Sequence, residues 1–300
     1  MNKKLAEVIA GIIPNKMARN RWRGILRYGP VNAINLMLRL RREKTPPRYY
    51  LAICAIAKNE GAYFPEWIEW HKKLGVEKFY IYDNESSDNT KEILTPYIES
   101  GLVEHTFFPG KKQQLPAYDD CLEKHRLDAY WIAVIDLDEF IVPIKDKTIP
   151  EFLKRFENFS VVEINWLVYG SGGAKEKQAG TSMERFKQHS FPNHLLNRHV
   201  KSIINPRRVF GFTGCHEAAR ISGFAADSHG ERIKKNFRDR EPQQDIIRIN
   251  HYAVKSYEEF LEKRARGRAR TLKQRNLDYF RDYDLNDIEE NRREIRDVFE

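Results

Sequence analysis

Between residues 50 and 135, short apolar runs alternate with segments of helical periodicity. The apolar runs predict strands that are buried on both faces, at 50–57, 76–82, 102–108 and 130–135. The spacing between them predicts helices at 62–74, 89–98 and 116–125. Because strands that alternate with helices form parallel sheets through right-handed crossovers, this α/β half is predicted to be Rossmann-like. Its ligands should lie at the carboxyl ends of the strands.

After residue 150 this alternation is lost. We predict further strands at 160–169 and 246–251, with the Gly170–Gly173 turn and an irregular region between them. Ser256 and Glu259 have the spacing of a capping box, which predicts a long helix that ends near Arg275. The charged stretch 286–299 predicts a terminal helix.

The positive charge of the chain is confined to its first 50 residues. They contain twelve Lys and Arg against two acids, whereas the other 250 residues contain 40 bases and 41 acids. Apolar residues recur at helical spacing in this arm, which predicts helices. A basic, apolar helix either contacts an anionic membrane surface or packs on the main domain. It suits nucleic acid less well, and we expect no nucleic-acid partner.

Several classes of protein are excluded. The three cysteines are far apart and form no CxxC pair, so neither a disulfide framework nor a zinc–cysteine site is expected. No apolar run is long enough to predict a transmembrane helix, and the first residues do not resemble a secretory signal. We therefore expect a cytoplasmic protein. The GxGxxG fingerprint and the P-loop are absent, which argues against a dinucleotide oxidoreductase and a P-loop kinase.

Polar residues follow three of the four predicted strands in the first half. These segments are Lys58-Asn59-Glu60 after the first strand, the acidic turn 83–88 after the second, and Asp136-Leu137-Asp138 after the fourth. Because parallel strands place their carboxyl ends at one edge of the sheet, we expect these segments to converge.

Asp136 and Asp138 are the strongest candidates for chemistry. Two carboxylates at this spacing after a strand suit Mg²⁺ or Mn²⁺, which commonly bridge substrate phosphates. The alternative is a pair of solvated carboxylates. Asp83 begins a turn that either holds a ribose or base edge or is an ordinary turn, since Asp, Asn and Ser are common turn residues.

The combined motifs resemble glycosyltransferase family 92 and its bacterial relatives in the family-2-like group. The resemblance covers about residues 50–270 and rests on AIAKNEGAYFPEWIEWHKKLGVEKFYIYDNESSDNT, Gln114, Ala117-Tyr118, WIAVIDLDEF, Asn165-Trp166, Tyr169–Gly173, Glu184–Phe186, Lys201–Ile204, Gly214–His216 and INHYAVKSYEEFLEKRARGRA. It does not reach the basic arm or the last 30 residues.

This resemblance implies a GT-A fold, a UDP-sugar donor, a divalent metal (Mn²⁺ or Mg²⁺) and inverting transfer of a hexose, possibly galactose. The chain then divides into a basic arm (1–47), a nucleotide-binding half (48–145), an acceptor half (146–275) and a charged terminal helix (276–300). The acceptor would be a glycan or a lipid-linked saccharide of a bacterial surface polysaccharide. The arm would place the enzyme at the inner face of the membrane.

In this interpretation each predicted residue has a role. Asp138 ligates the metal, Asp136 contacts the metal or the ribose, and His251 supplies a third ligand. Lys58, Asn59, Glu60 and Asp83 hold the nucleoside, and Lys255 meets the diphosphate. The base that deprotonates the acceptor hydroxyl is assigned to Glu217, with His216, Glu163 and Glu139 as alternatives.

Two other classes of function stay open at this point. A metal-dependent phosphohydrolase or nucleotidyltransferase also uses paired carboxylates, and it needs no sugar acceptor. A basic nucleic-acid- or membrane-binding protein would bind through residues 1–50 alone, with a steep salt dependence.

Overall fold

A central sheet of mixed direction forms the body of the computed structural model, which describes residues 16–269, 271 and 274–290. The strand order is β3-β2-β1-β4-β8-β6-β12-β5, and β11 pairs with β6. The pairs within β3-β2-β1-β4 are parallel, as are β6–β12 and β6–β11. β8 is antiparallel to β4 and β6, and β5 is antiparallel to β12. The predicted α/β fold class, with a mainly parallel central sheet and flanking helices, is confirmed.

The strands are β1 (Tyr49–Ala57), β2 (Lys78–Asp83), β3 (Val103–Phe107), β4 (Ala129–Val134), β5 (Glu139–Pro143), β6 (Val161–Val168), β7 (Gln188–His189), β8 (Val200–Ile204), β9 (Val209–Phe212), β10 (Ala218–Arg220), β11 (Ala225–Ala226), β12 (Ile247–His251) and β13 (Ile288–Glu289). The α-helices are α1 (Lys16–Tyr28), α2 (Pro30–Arg42), α3 (Phe64–Lys73), α4 (Thr90–Glu99), α5 (Gln114–His125), α6 (Ile149–Leu153), α7 (Ser182–Arg185), α8 (Tyr257–Ala265) and α9 (Leu277–Tyr283).

The apolar runs of the sequence are strands that pack on both faces. Along β1, Leu51, Ile53 and Ala55 belong to the core on one side of the sheet. The intervening Ala52 and Cys54 belong to the core on the other side. Successive side chains of a strand point to opposite faces, so a strand with helices or further layers on both sides needs apolar residues at every position.

Two predicted helices differ from the structure. The helix after Ser256 has its predicted capping box, but it ends at Ala265 and not near residue 275. Gly267 has a left-handed backbone (φ +83°), which ends helices. Residues 286–290 do not form the predicted helix, because Ile288 pairs with His189 as part of β13. The rest of that predicted helix, residues 291–300, lies outside the described residues.

The described part of the basic arm contains α1 and α2, which pack on the β9–β10 hairpin. Ala33 and Leu36 of α2 are buried against Phe210, Ala219 and Ile221. The predicted helices of the arm are confirmed from residue 16 onward, and residues 1–15 lie outside the described part. Among the described helices, none has both the length and the apolar character needed to cross a bilayer.

A glycine allows α1 to approach the hairpin closely. A Cβ on Gly24 would lie 2.6 Å from a ring carbon of Phe210 and 2.9 Å from the Cβ of Ala219. In a helix interior, Gly→Ala normally stabilises by about 1 kcal/mol. Here the overlap outweighs that gain, since overpacking costs about 1–3 kcal/mol.

Gly24→Ala should therefore lower the melting temperature by a few degrees and expose α1 to limited proteolysis. Gly214→Ala is the matched control, because its added Cβ would meet nothing within 4 Å. A Gly24→Ala protein that melts at or above the wild-type temperature would show that α1 does not pack as described.

Candidate functional site

A cavity of about 580 Å³ opens at the carboxyl edge of β1, β2 and β4. This volume lies within the range of about 300–1,000 Å³ typical of small-molecule sites. The predicted residues that line it are Lys58, Glu60, Asp136, Asp138, His216 and His251. Further cations line the same cavity: Lys111, Lys112, Lys263, Arg266, Arg268 and Arg275. The predicted convergence of polar segments at this edge is therefore observed.

Asp138 lies between a lysine and a histidine. Its Oδ2 accepts a hydrogen bond from Nζ of Lys263 and lies 3.5 Å from Nε2 of His251. The register of β12 on β5 explains this proximity, because His251 pairs with Glu139, the neighbour of Asp138. Burial alone would raise the pKa of Asp138, but Lys263 and His251 hold that pKa well below its usual range. The Asp138 carboxylate therefore has two partners, the Lys263 ammonium group and the His251 imidazole.

Asp136 has a different set of partners. Its carboxylate accepts hydrogen bonds from Lys201 (2.8 Å), Gln114 (3.2 Å) and Tyr118 (3.3 Å). Lys201 also lies 3.1 Å from Oε2 of the fully buried Glu139. Burial raises the pKa of Glu139 to about 8, although Lys201 acts against that rise. One lysine thus contacts both carboxyl groups, of which Glu139 is mostly protonated at neutral pH.

Of the three predicted metal ligands, only Asp138 and His251 lie close enough to bind one ion. A separation of 3.5 Å between Asp138 Oδ2 and His251 Nε2 allows both atoms to bind one ion of octahedral geometry. Asp136 is held apart by Lys201, and the described residues contain no group of three or more His, Cys, Asp or Glu that could hold a metal ion. Asp138 and His251 therefore fit a divalent ion that takes its other ligands from water and phosphate, provided that Lys263 moves away from Asp138.

An aromatic wall lies beside these carboxylates. The ring of Trp166 stacks on His199 with centroids 4.9 Å apart, and it lies 4.1 Å from the ring of His251. His216 meets Trp166 edge-on, and its Nδ1 lies 2.6 Å from the carbonyl oxygen of Val200. A carbonyl only accepts, so Nδ1 carries the hydrogen and Nε2 has a lone pair. Burial lowers the pKa of His216 to about 3, which keeps the ring neutral.

Two predicted nucleoside-binding residues instead hold the loops that shape the cavity. Asn59 has a left-handed backbone (φ 51°), and its Oδ1 accepts a 2.7 Å hydrogen bond from Ser87 N. Asp83 Oδ1 accepts a 2.8 Å hydrogen bond from Ser86 N. Neither side chain lines the cavity, whereas their neighbours Asn84 and Glu85 do.

Two more predicted residues lie away from the cavity lining. Lys255 is buried with its Nζ 3.0 Å from the ring centroid of Tyr63, and burial lowers its pKa to about 8. It does not line the cavity, so it is not placed to meet a diphosphate there. Glu217 is in the β9–β10 turn, beside His216 in sequence, but only His216 lines the cavity.

The residues that pair with Asp136 and Asp138 could not be assigned roles from the sequence. Lys201, Tyr118 and Lys263 are part of the family motifs, which give them no role. The spacing Ser256-Glu259-Lys263 was the available signal, because positions three and four apart share a helix face. It places Lys263 on the same face of α8 as the capping box.

The glycine turn after β6 does not border the cavity. The backbone N–H groups of Ser171 and Gly172 donate to Asp284 Oδ1 (2.6 Å) and Asn286 Oδ1 (2.7 Å). A Cβ on Gly170 would lie 2.2 Å from Asn286 Oδ1. The glycines therefore admit the segment after α9, which packs against this turn.

The profile of glycosyltransferase family 92 matches residues 49–296. The chain belongs to glycosyltransferase family 92. The match includes every strand from β1 to β13, and the mixed sheet agrees with the GT-A fold that we predicted with this family.

Two family 92 relatives show the extent of the match. A glycosyltransferase family 92 protein of Ricinus communis is 26% identical over 230 residues, which is 75% of this chain and 38% of that protein. The beta-1,4-galactosyltransferase galt-1 of Caenorhabditis elegans is 26% identical over 257 residues, which is 77% of this chain and 56% of that protein. The chain thus spans about two fifths to just over half of their length.

A solved structure is also similar in part. Glucosyl-3-phosphoglycerate synthase from Mycobacterium tuberculosis, in complex with Mn²⁺, UDP and glucosyl-3-phosphoglycerate, is 19% identical with a TM-score of 0.28. The alignment covers 45% of this chain and 48% of that chain. A score this low supports no inference about the site of this family 92 chain.

Lys201→Met should lower the free energy of unfolding by about 3 kcal/mol, because it leaves the Asp136 carboxylate without the buried cation that it pairs with. Denaturant unfolding measures this change. Adding Asp136→Asn removes the stranded charge and should recover a large part of the loss. Equal instability of the single and double variants would contradict the assigned pairing of Lys201 with Asp136.

Proposed function

We propose that this family 92 protein transfers a hexose, galactose in the first instance, from a UDP-sugar to a saccharide acceptor with inversion and with a divalent ion. The observation that carries the proposal is the cavity itself. Asp136, Asp138, His251 and several lysines and arginines line it, at the edge where parallel sheets bind nucleotides.

The cations of the cavity suit a diphosphate. Lys263 pairs with Asp138, and Arg266 pairs with Glu60, so both cations are held at the cavity wall by carboxylates. Arg266 also donates to the backbone oxygen of Asn59, which ties α8 to the loop after β1. A diphosphate that enters the cavity would add negative charge near these groups and compete with Asp138 and Glu60 for them. We infer that Lys263 and Arg266 bind the donor diphosphate.

The proposed ion would be held by Asp138 and His251. When bound, it would neutralise the charge that develops on the diphosphate leaving group. Lys201 donates to Asp136 and orients it in the cavity lining, where that side chain is 34% exposed and is able to accept a hydrogen bond from the donor. This assignment retains both predicted aspartates but separates their roles.

His216 is the best-placed group to deprotonate the acceptor. It lines the cavity, and its Nε2 carries the lone pair, because Nδ1 donates to the backbone of Val200. Glu217, which we first assigned this role, does not line the cavity, and Glu139 is fully buried. A neutral imidazole that accepts the hydroxyl proton while the anomeric bond breaks is the chemistry that inversion requires.

Galactose is proposed because of the similarity to galt-1, whose name describes it as a beta-1,4-galactosyltransferase. The cytoplasmic location and the role in bacterial surface polysaccharide synthesis stay predictions, since the relatives named above are plant and worm proteins.

Thermal stability against UDP-sugars, with and without Mn²⁺, tests the donor site. A ligand that binds only the folded state raises the melting temperature by mass action, by about 2.7 kcal/mol of stability at a hundredfold excess over Kd. We expect a shift with UDP-galactose that needs Mn²⁺ and is lost in Asp138→Asn. Asp245→Asn is the control, because that carboxylate is exposed and lies outside the cavity.

The acceptor reaction is then measured as release of UDP with and without saccharides. Release that depends on a saccharide supports transfer, whereas equal release without one would indicate a hydrolase. If no nucleotide shifts the melting temperature of the folded protein, the proposed function is wrong.

His216→Gln should lower kcat by about 10²–10⁴-fold, the usual contribution of a general base. Donor binding, measured by the melting shift, should be unchanged. Because burial lowers the pKa of His216 to about 3, its protonation should inhibit only near that pH, and the rate should show no limb near 6.5 from this group. His199→Gln is the matched control, since His199 stacks on the same tryptophan outside the cavity lining. Full turnover by His216→Gln would exclude it as the base.

A further inference from the structure

The outer face of α2 carries exposed apolar side chains. Val31, Ile34 and Leu38 are 70%, 53% and 44% exposed. Residues at positions i, i+3 and i+7 lie along one face of a helix, so these three side chains form a continuous stripe. We call this stripe, together with Arg41 and Arg42, the outer face of α2.

The opposite face of the same helix already anchors the arm. Ala33 and Leu36 are buried on the β9–β10 hairpin, and Met37 and Leu40 pack beside them. The apolar residues of the outer face are therefore not needed to hold the arm on the domain. They expose apolar surface in a position that the fold keeps rigid.

Basic residues extend this apolar stripe. Arg41 and Arg42 are exposed, and they follow Leu38 by three and four residues, which places them on the same side of the helix. Glu43 is the only acid between residues 8 and 50, and its carboxylate is bonded to the backbone N–H of Thr45 at 2.8 Å. The C-terminal end of the stripe is thus positively charged.

The size and charge of the outer face decide what kind of partner it suits. A stable protein interface involves about 20–30 residues on each side, far more than this stripe offers. A lipid surface has no such requirement, because each inserted side chain and each arginine near anionic headgroups adds to binding separately.

We propose that the outer face of α2 binds an anionic lipid bilayer, with Val31, Ile34 and Leu38 inserted among the acyl chains and Arg41 and Arg42 at the level of the phosphates. The two predictions for the arm, packing on the domain and contact with a membrane, then apply to opposite faces of one helix. This inference goes beyond sugar transfer and does not depend on it.

Cosedimentation of the full chain with vesicles tests the proposal. The vesicles are phosphatidylcholine with 30% phosphatidylserine, and phosphatidylcholine alone. Val31→Ser/Ile34→Ser/Leu38→Ser should reduce partition onto the anionic vesicles at least tenfold. Arg41→Gln/Arg42→Gln should reduce it about fivefold for each arginine, with little change on the neutral vesicles.

Matched controls separate this face from net charge. Lys72→Gln/Lys91→Gln removes the same two charges from exposed positions on α3 and α4 and should leave partition within twofold of the wild type. All variants should keep the wild-type melting temperature, because the replaced side chains are exposed.

A dye placed on the outer face gives a second readout. The three native cysteines are buried, so Ile34→Cys can be labelled selectively with an environment-sensitive fluorophore. We expect a blue shift on addition of anionic vesicles, and none from a label at Thr95→Cys on α4. This readout does not depend on loss of binding in a variant.

Three outcomes would overturn the proposal. They are partition of the triple serine variant equal to wild type, a label at residue 34 that does not respond to vesicles, and concentration-dependent dimerisation through α2 without vesicle binding. The first outcome would assign membrane contact to another part of the chain. The third would make a second copy the occupant of this face.

Discussion

The pairing of lysines with the carboxylates after β4 is the interaction on which the site depends. Asp136, Asp138 and Glu139 lie within four residues, and two of the three are almost completely buried. Without cations they would repel each other and lose their hydration. The cations come from the second half of the chain, Lys201 from β8 and Lys263 from α8. The first half of the chain is therefore electrostatically incomplete without the second, which inserts β8 next to β4.

The strands and the edge that holds the cavity could be predicted because their signals are local. A strand covered on both faces must be apolar at every position, and β1 and β4 follow that rule. Strand order then places Asp136 and Asp138 at the ligand-binding edge without further information. The family motifs added His216 and His251, which both line the cavity.

The direction of individual side chains could not be predicted, because it depends on contacts distant in sequence. Asn59 and Lys255 lie outside the cavity lining because they contact Ser87 and Tyr63, partners that no periodicity reveals. The sequence does not distinguish Lys201 from other strand lysines, because its contact with Asp136 depends on the position of β8 between β4 and β6. The predicted helix to residue 275 was wrong for a related reason: its basic residues continue, but the left-handed Gly267 ends it, and Arg275 donates to the carbonyl of Gly267.

The segment after α9 has a consequence for the order in which the protein assembles during synthesis. Asp284 and Asn286 hold the backbone of the glycine turn, and Glu290 receives hydrogen bonds from Tyr169 and Arg248. These residues leave the ribosome after every strand of the central sheet. The sheet is therefore able to form while the turn after β6 and the Arg248 guanidinium still lack these partners and are partly solvated. Folding of this chain is expected to finish with a late step in which its last described residues close the structure from outside.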